Sequence, residues 1–485
     1  MRMQLSGKRT DGAGNRGARQ HVICAVLVLL FFFFWMILDG PHIGADSRGY
    51  ISFGVTREPV YPLFLALCRH LPFASALQAE GYAGIWHAVF FQNLLWSYAV
   101  YRTGDFVYRL SGQWKGIAER GRVALMWAAI GFQLAVCLIN RLLADRHTMY
   151  ANLIYTEALT MPLFLLFVIR LWELLREESR KNLLLCAVTA FLLVGTRKQM
   201  LMVLIVWGLM TLLYRVLLKA GRNIKTALLH FAVIIAVLLG FRLADACYHA
   251  VVHGFFGNVS NREALLCCML YTADETDASL FGEGEEKEKE WFLAIVKEQE
   301  RRGAYYDAPE ADGGIAARAF HFGTHYDVIG YEIVRPLLYA DPEIASIEDD
   351  TQRTLQMHES EGALAGILLR QNLTDYFRLF GVNLVSGLAY SVARMSARLL
   401  PFVALLYLIY IALLLLLLRK RENPEENRGI LLFAVIVLCS IAVNSVVTGA
   451  LIFPQGRYMI YSMGFFYTAL MLMAVTLRRG WHRNE

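Results

Sequence analysis

The run Val22–Leu38, centred on Phe31-Phe32-Phe33-Phe34-Trp35, carries no charged side chain. Similar stretches recur along the chain, and they limit its folding options more than any other feature. In a hydrocarbon layer every backbone N–H and C=O must be satisfied within the segment, so runs of roughly 20 apolar residues read as membrane-crossing helices. The spans are expected near residues 21–38, 85–104, 122–143, 152–173, 182–196, 199–217, 226–245, 398–418, 429–449 and 458–477, about ten in all by the length a bilayer demands. At 57% hydrophobic over 485 residues, the composition excludes a soluble domain. The expected fold class is therefore an all-α integral membrane protein. The first run follows a basic tail (Arg2, Lys8, Arg9, Arg16, Arg19), but Trp35-Met36 stands where a signal peptide would carry small residues. It reads as an uncleaved span.

Lys and Arg in the short connections set the orientation. The N-terminal tail, Arg109–Arg122, Arg170–Lys181, Lys219–Lys225, Arg419–Arg428 and Arg478–Arg483 all fall on one side, the expected cytoplasm. The Asp46 loop, the Arg141–His147 turn, Arg197-Lys198, the stretch from Cys247 to Ser396 and Phe453–Arg457 fall on the other. That long stretch has twice as many acids as bases, so the net charge of +6 reflects topology and not an affinity for nucleic acid. The expected organisation is a cytoplasmic tail (1–20), a first transmembrane module (21–246) whose outer loop spans 39–84, and an extracytoplasmic, mostly helical loop domain with an interfacial helix (247–396). C-terminal spans (397–477) and a second cytoplasmic tail (478–485) complete it. Pro59–Leu71 and Tyr376–Val392 read as interfacial or re-entrant helices. Within the loop domain, Glu283–Arg302 is charged throughout, with Trp291, Phe292, Ile295 and Val296 forming one apolar stripe. Asp307–Gly314 is a turn-rich break. Cys267-Cys268 and Cys247 lie in this stretch without metal-type spacing.

The polar residues with chemical potential cluster in the expected outer segments. Gly44-Ala-Asp46-Ser-Arg-Gly49-Tyr50 is followed by Thr56-Arg57-Glu58-Pro59-Val60-Tyr61-Pro62-Leu63. Asp46 is either a base or a cation ligand, or the cap of a short helix over Ser47–Phe53. Two prolines three residues apart stiffen the chain beside Arg57 and Glu58. Arg57 suits bidentate contact with a phosphate, or an ion pair that orders the loop. Arg197-Lys198 and Arg457 are further cations at a membrane edge, where lipid-headgroup contact is the competing explanation. Glu157 opens its span either as a cavity-facing carboxylate or as a charge favourable to the helix dipole. His321-Phe-Gly-Thr-His325-Tyr-Asp327 has two histidines at helical spacing with an acid nearby. The residue after His321 is Phe322 and not the Glu that a zinc-protease motif needs, so a structural or acceptor-facing role is preferred.

Asp46-Ser-x-x-Tyr50, then Arg57-x-Pro-x-Tyr-Pro-Leu63, Tyr155-Thr-Glu157-Ala-Leu159 and Arg457-Tyr458 together resemble the GT-C glycosyltransferases. These include the protein O-mannosyltransferases and the aminoarabinose transferase that modifies lipid A. The resemblance is scattered over roughly residues 22–245 and 453–477. It implies transfer of a sugar from a polyprenyl-phosphate donor to a lipid, glycan or protein acceptor, at the extracytoplasmic face of a bacterial inner membrane. The resemblance carries a role to Asp46 alone, as the key acid; Glu58, by its own chemistry and position, is a candidate second carboxylate. Arg57, Arg197 and Arg457 are assigned to the donor phosphate, and Tyr50, Tyr61, Glu157 and Tyr458 to substrate contact. The mannosyltransferases show adjacent acids where this chain has Asp46-Ser47, which leaves a divalent cation an open question. An O-antigen polymerase or ligase acting on diphosphate-linked glycans is the second enzyme reading, and a lipid or glycan transporter the third.

Overall fold

The structure is a computed structural model describing residues 11–114, 116–143, 147–217, 224–259, 262–419 and 424–481. The first residues of the basic tail, the middle of the Arg141–His147 turn, most of Lys219–Lys225 and part of Arg419–Arg428 lie outside these.

The chain folds as an all-α membrane protein. Its helices are α1 (Asp11–Asp39), α2 (Ser47–Ile51), α3 (Val60–Arg69), α4 (Ile85–Ser111), α5 (Glu119–Leu143), α6 (Glu157–Arg176), α7 (Arg180–Thr196), α8 (Met202–Leu217), α9 (Ile224–His253), α10 (Glu263–Thr272), α11 (Glu286–Arg302) and α12 (Ile315–Asp327). They continue with α13 (Arg335–Tyr339), α14 (Pro342–Ala345), α15 (Asp350–Gln371), α16 (Leu373–Tyr390), α17 (Leu400–Arg419), α18 (Pro424–Leu451), α19 (Gly456–Met459) and α20 (Met463–Trp481). A π-helical segment, Val328–Val334, joins α12 to α13.

Each of the ten expected spans coincides with a helix. Seven of these, among the described residues, are long and apolar enough to cross a membrane: those in α1, α5, α6, α9, α17, α18 and the α19–α20 run. The other three have physical reasons to fall short. α7 and α8 have 17 and 16 residues, about 25 Å of helix against a hydrocarbon core of about 30 Å. α4 is long but buries Gln92 and Asn93. Those amides hold the irregular segment before α6: Gln92 Nε2 donates to the carbonyls of Ala151 (2.9 Å) and Leu153 (3.1 Å), and Asn93 Nδ2 donates to Asn152 Oδ1 (2.8 Å). Non-helical backbone buried at this depth needs such partners.

α3 is ten residues long, too short to cross, and α16 packs along α18, with Tyr376 donating to the Ala450 carbonyl (2.6 Å) and Asn383 to that of Gly449 (3.2 Å).

The buried apolar side chains form two clusters. One fills the bundle from Cys24 to Met473, and the other lies within residues 266–382. The second core includes Phe292, Ile295, Phe322, Ile329, Leu364 and Leu368. The stripe expected on residues 283–302 appears as the buried face of α11. That helix ends at Gly303, whose φ of +66° is the left-handed cap geometry glycine adopts without strain. The break at 307–314 separates α11 from α12, with one turn of 3₁₀ helix at Pro309–Ala311. All eight cysteines are unpaired.

Candidate active site

Loop 1 (residues 40–59), the segment before α6, the α7–α8 turn, the insert (residues 262–390, between α9 and α17) and the lead into α20 meet at one end of the bundle. Two pairings place loop 1 there. The His42 N–H donates to the Asn152 carbonyl (3.0 Å), and the Ile154 N–H donates to the His42 carbonyl (3.0 Å). Below them Asp39 is gripped by Arg141 through both carboxylate oxygens (3.0 and 3.2 Å), and also accepts the Met149 N–H (3.0 Å).

The short helix expected after Asp46 exists, as α2, but the Asp46 side chain does not cap it. Its carboxylate instead accepts from Arg57 Nη2 at Oδ1 and from Arg457 Nη1 at Oδ2, each at 3.2 Å. Arg57 and Arg457 come from opposite ends of the sequence. Arg57 also donates to the Tyr50 hydroxyl (3.2 Å) and lies 4.5 Å from its ring centre. Gly49 makes room for this. A Cβ there would sit 2.8 Å from Arg57 Nε. Phe53, between the two halves of the motif, has φ +58°, a left-handed conformation uncommon for a bulky residue. The bend it makes brings Arg57 back over α2.

Arg457 is the centre of a second layer. Its Nε donates to Gln455 Oε1 (2.7 Å) and approaches Glu157 Oε1 (3.8 Å), and its Nη2 donates to the Tyr458 hydroxyl (2.8 Å). Glu157 is 2% exposed and accepts from Arg197 Nη1 at 2.6 Å. Tyr458 lies against both cations, its ring centre 4.2 Å from the Arg197 guanidinium carbon and 4.8 Å from that of Arg457. Gln199 fixes this corner through Asn444 Oδ1 (3.0 Å), Thr448 Oγ1 (2.8 Å) and the Tyr458 carbonyl (3.1 Å).

Three arginines therefore surround two carboxylates, leaving one positive charge in a half-buried site. Burial works to raise the Asp46 carboxyl, but Arg457 and then Arg57 offset this and hold it below the ordinary carboxylate range. Asp46 is ionised at neutral pH. Burial also pushes the Tyr50 phenol up to about 12, so it remains protonated.

Seven of the nine site residues expected from sequence fall in or against this cluster: Asp46, Arg57, Arg197, Arg457, Tyr50, Glu157 and Tyr458. Two are placed differently. Glu58 faces Lys198 (3.9 Å) and not Asp46, because it follows Arg57 at the turn into α3 and points to the other side. Lys198 is also tied down, donating to the Val259 carbonyl. Tyr61 has no exposed surface. It donates to Gln92 Oε1 (3.0 Å) and packs edge-on against Tyr50 at 5.2 Å, so it supports Tyr50 from behind and has no face for a ligand. Gln455, Gln199 and the Asn444–Thr448 pair were not anticipated. The four-residue spacing of that pair on α18 is the one sequence signal that marks them.

The donor set does not fit a divalent cation. Both Asp46 oxygens are taken by guanidinium groups and Glu157 is bound to a third, so a metal here would meet three positive charges. His321 and His325 stack at 4.1 Å, and His321 Nδ1 meets the Tyr271 hydroxyl at 2.8 Å. Among the described residues no group of three or more His, Cys, Asp or Glu side chains could hold a metal ion.

No protein-family model matches the chain, and no curated protein matches it. Among solved structures it is similar to the oligosaccharyltransferase AglB of the archaeon Archaeoglobus fulgidus, solved with an inhibitory peptide and a dolichol-phosphate. The identity is 14% and the TM-score 0.40, covering 96% of this chain and 51% of that one. This chain thus spans about half the length of that protein. A likeness so distant provides no residue-level correspondence.

Proposed function

We propose that the protein is a membrane glycosyltransferase that takes a sugar from a polyprenyl-phosphate donor and passes it to an envelope acceptor at the extracytoplasmic face. The observation that carries this is the Asp46 carboxylate held between Arg57 and Arg457, next to the Arg197–Glu157 pair. The single positive charge left over matches a phosphodiester, which carries one negative charge. As the sugar–phosphate bond breaks, the phosphate gains a second charge. Fixed guanidinium groups in a half-buried site stabilise that charge without reorganising. Arg57, Arg197 and Arg457 take this role, while Asp46 and Glu157 fix their directions. The tyrosine rings of Tyr50 and Tyr458 keep the guanidinium planes in place.

The position of the cluster agrees with such a donor, because a polyprenyl chain lies among the spans while its phosphate sits where they end. No step needs a metal. The test uses full-length protein in lipid nanodiscs with a panel of polyprenyl-phosphate-linked hexoses and pentoses and an envelope extract as acceptor. Mass spectrometry follows free polyprenyl phosphate. Acceptor-dependent release from one donor is the expected result. Movement of an unaltered donor across sealed vesicles, with no release, would remove the proposal.

A further inference from the structure

Asp46 is poorly suited to take a proton, since both of its oxygens already accept from arginines and the same arginines keep it ionised. An alcohol attacking an anomeric carbon nevertheless has a proton to lose. We infer that Asp327, contributed by the insert, is the acceptor-side base of this site. The inference rests on the glycosyl-transfer reading above.

The geometry starts at Phe453, four residues before Arg457. Its ring packs against Tyr326 (4.9 Å between centres) and Phe322 (5.8 Å) of α12. Gly323 admits this contact, as a Cβ there would lie 3.3 Å from the Phe453 ring. The C-terminal end of α12 is thereby docked on the segment that delivers Arg457. Asp327 follows directly after Tyr326. It is exposed, and among the described residues it has neither a hydrogen-bond nor an ion-pair partner. Its carboxylate lies close enough to Arg457 and Asp46 to feel both charges.

The helix then loosens into the π-segment at Val328–Val334, a rare form that is frequent at functional sites. Tyr331 and Arg335 continue the row one and two turns on, with the Arg335 guanidinium carbon 4.1 Å from the Tyr331 ring centre. Arg335 is anchored to Glu263 of α10 (2.7 Å), and Gly330 lets α10 approach, as a Cβ there would lie 2.6 Å from Glu263 Oε1. The row Asp327–Tyr331–Arg335 is therefore rigidly supported by the insert's own core, while Tyr331 keeps 48% of its surface exposed.

Two carboxylates in one site thus have divergent environments. Asp46 is held low by paired arginines. Partial burial pushes Asp327 up, Arg457 pulls it back, and Asp46 adds to the rise. Such divergence separates an electrostatic group from one that exchanges protons. Besides Arg457 and Asp46, Tyr331 on its own segment and Cys267 on α10 lie close enough to feel the Asp327 charge. In the step itself, the acceptor oxygen bonds to the anomeric carbon. The carbon–oxygen bond to phosphate breaks, and its electron pair stays on the departing polyprenyl phosphate. The hydroxyl proton passes to the Asp327 carboxylate and then to water.

The test uses full-length protein in nanodiscs with a donor that wild type turns over, comparing Asp327→Asn, Asp327→Ala with and without added formate, and Asp46→Asn. Transfer by Asp327→Asn should fall about 10²–10⁴-fold, the contribution of a lost general base. Binding of a fluorescent polyprenyl phosphate should stay within about twofold of wild type, since no phosphate contact is removed. The acid limb of the kcat profile should disappear, and formate should restore part of the Asp327→Ala rate. Asp46→Asn should instead lose phosphate binding while keeping that limb. An Asp327→Asn rate near wild type with an unchanged profile would overturn the inference alone. Wild type that releases polyprenyl phosphate from no donor would overturn the glycosyl-transfer reading, and this inference with it.

Discussion

The bundle carries two arginine–carboxylate clusters of identical make-up, one at each end. At the insert end, Arg57, Arg197 and Arg457 surround Asp46 and Glu157. At the opposite end, Arg102, Arg109 and Arg170 surround Asp105 and Glu173. There Arg109 reaches Glu173 (2.9 Å) and Asp105 (3.1 Å), and Arg170 reaches Glu173 at 2.6 Å. Arg102 lies 3.5 Å from Asp105 and 3.6 Å from Glu173.

Their construction differs. The second cluster is assembled from three- and four-residue steps along α4 and α6, where helix geometry makes such pairs neighbours at almost no ordering cost. The first draws on four separate segments, with Asp46 and Arg457 separated by 411 residues. Its arginines lie on tyrosine faces, and its backbone includes a left-handed Phe53. Like composition thus produces a stitch between two helices in one place and, in the other, a cluster gathered from distant segments, the one we propose as the phosphate site. What distinguishes them is the cost of assembly, which helix stability alone does not explain.

The largest effect should come from breaking the buried pair of the first cluster. Glu157→Ala leaves Arg197 uncompensated in a buried position and should cost about 3–5 kcal/mol of stability. Glu173→Ala removes contacts to arginines that are up to 45% exposed, and should cost less than about 3 kcal/mol. Thermal unfolding of both variants in nanodiscs checks the order. Equal losses would erase the distinction drawn here.

Next in size is Arg457→Ala. It should lower transfer about 10²–10³-fold, as loss of one fixed charge-stabilising donor does. Arg109→Ala should leave the rate within about threefold, since it touches no reacting group. Initial rates at saturating donor compare the two directly.

The effect of pH sharpens the contrast further. The depressed Asp46 carboxyl contributes stability that is fully present above the unfolded carboxylate value of about 3.9 and is lost as pH falls through the lower folded value. The stability gap between wild type and Asp46→Asn should therefore be flat from pH 7 to about pH 5 and close only in stronger acid. Parallel melting curves across that range are the check, and a gap that closes near pH 6 would contradict the pairing.

The smallest effect expected is that of Gly49→Ala. Its methyl group would displace the Arg57 guanidinium without removing it, weakening phosphate binding about tenfold or less. Titration with polyprenyl phosphate measures it.

Much of this was legible in the sequence. Helix positions follow from apolar run length, and the basic loops lead to the expectation that Asp46, Arg57, Arg197 and Arg457 share one end of the bundle, as they do. Two expected site residues, Glu58 and Tyr61, are placed away from the cluster for local reasons. Glu58 turns toward Lys198 because adjacent residues at the entry to α3 point apart. Tyr61 is buried because its hydroxyl is needed by Gln92. The base, cation-ligand, helix-cap and ion-pair readings of Asp46 could not be separated by spacing, since its partners lie 11 and 411 residues away. Asp327 was visible only as the third member of a histidine motif. Its neighbours there stack on each other, and its relation to Arg457 depends on how Phe453 docks the insert, a tertiary contact with no sequence period.

The most direct test of the account compares release of polyprenyl phosphate by wild type, Asp46→Asn and Glu173→Gln, all in nanodiscs with the same donor and acceptor. The account predicts release by wild type and Glu173→Gln, and a loss of at least about 10²-fold in Asp46→Asn. Equal rates for Asp46→Asn and wild type, with the protein folded, would contradict the claim that the insert-end cluster is the active site.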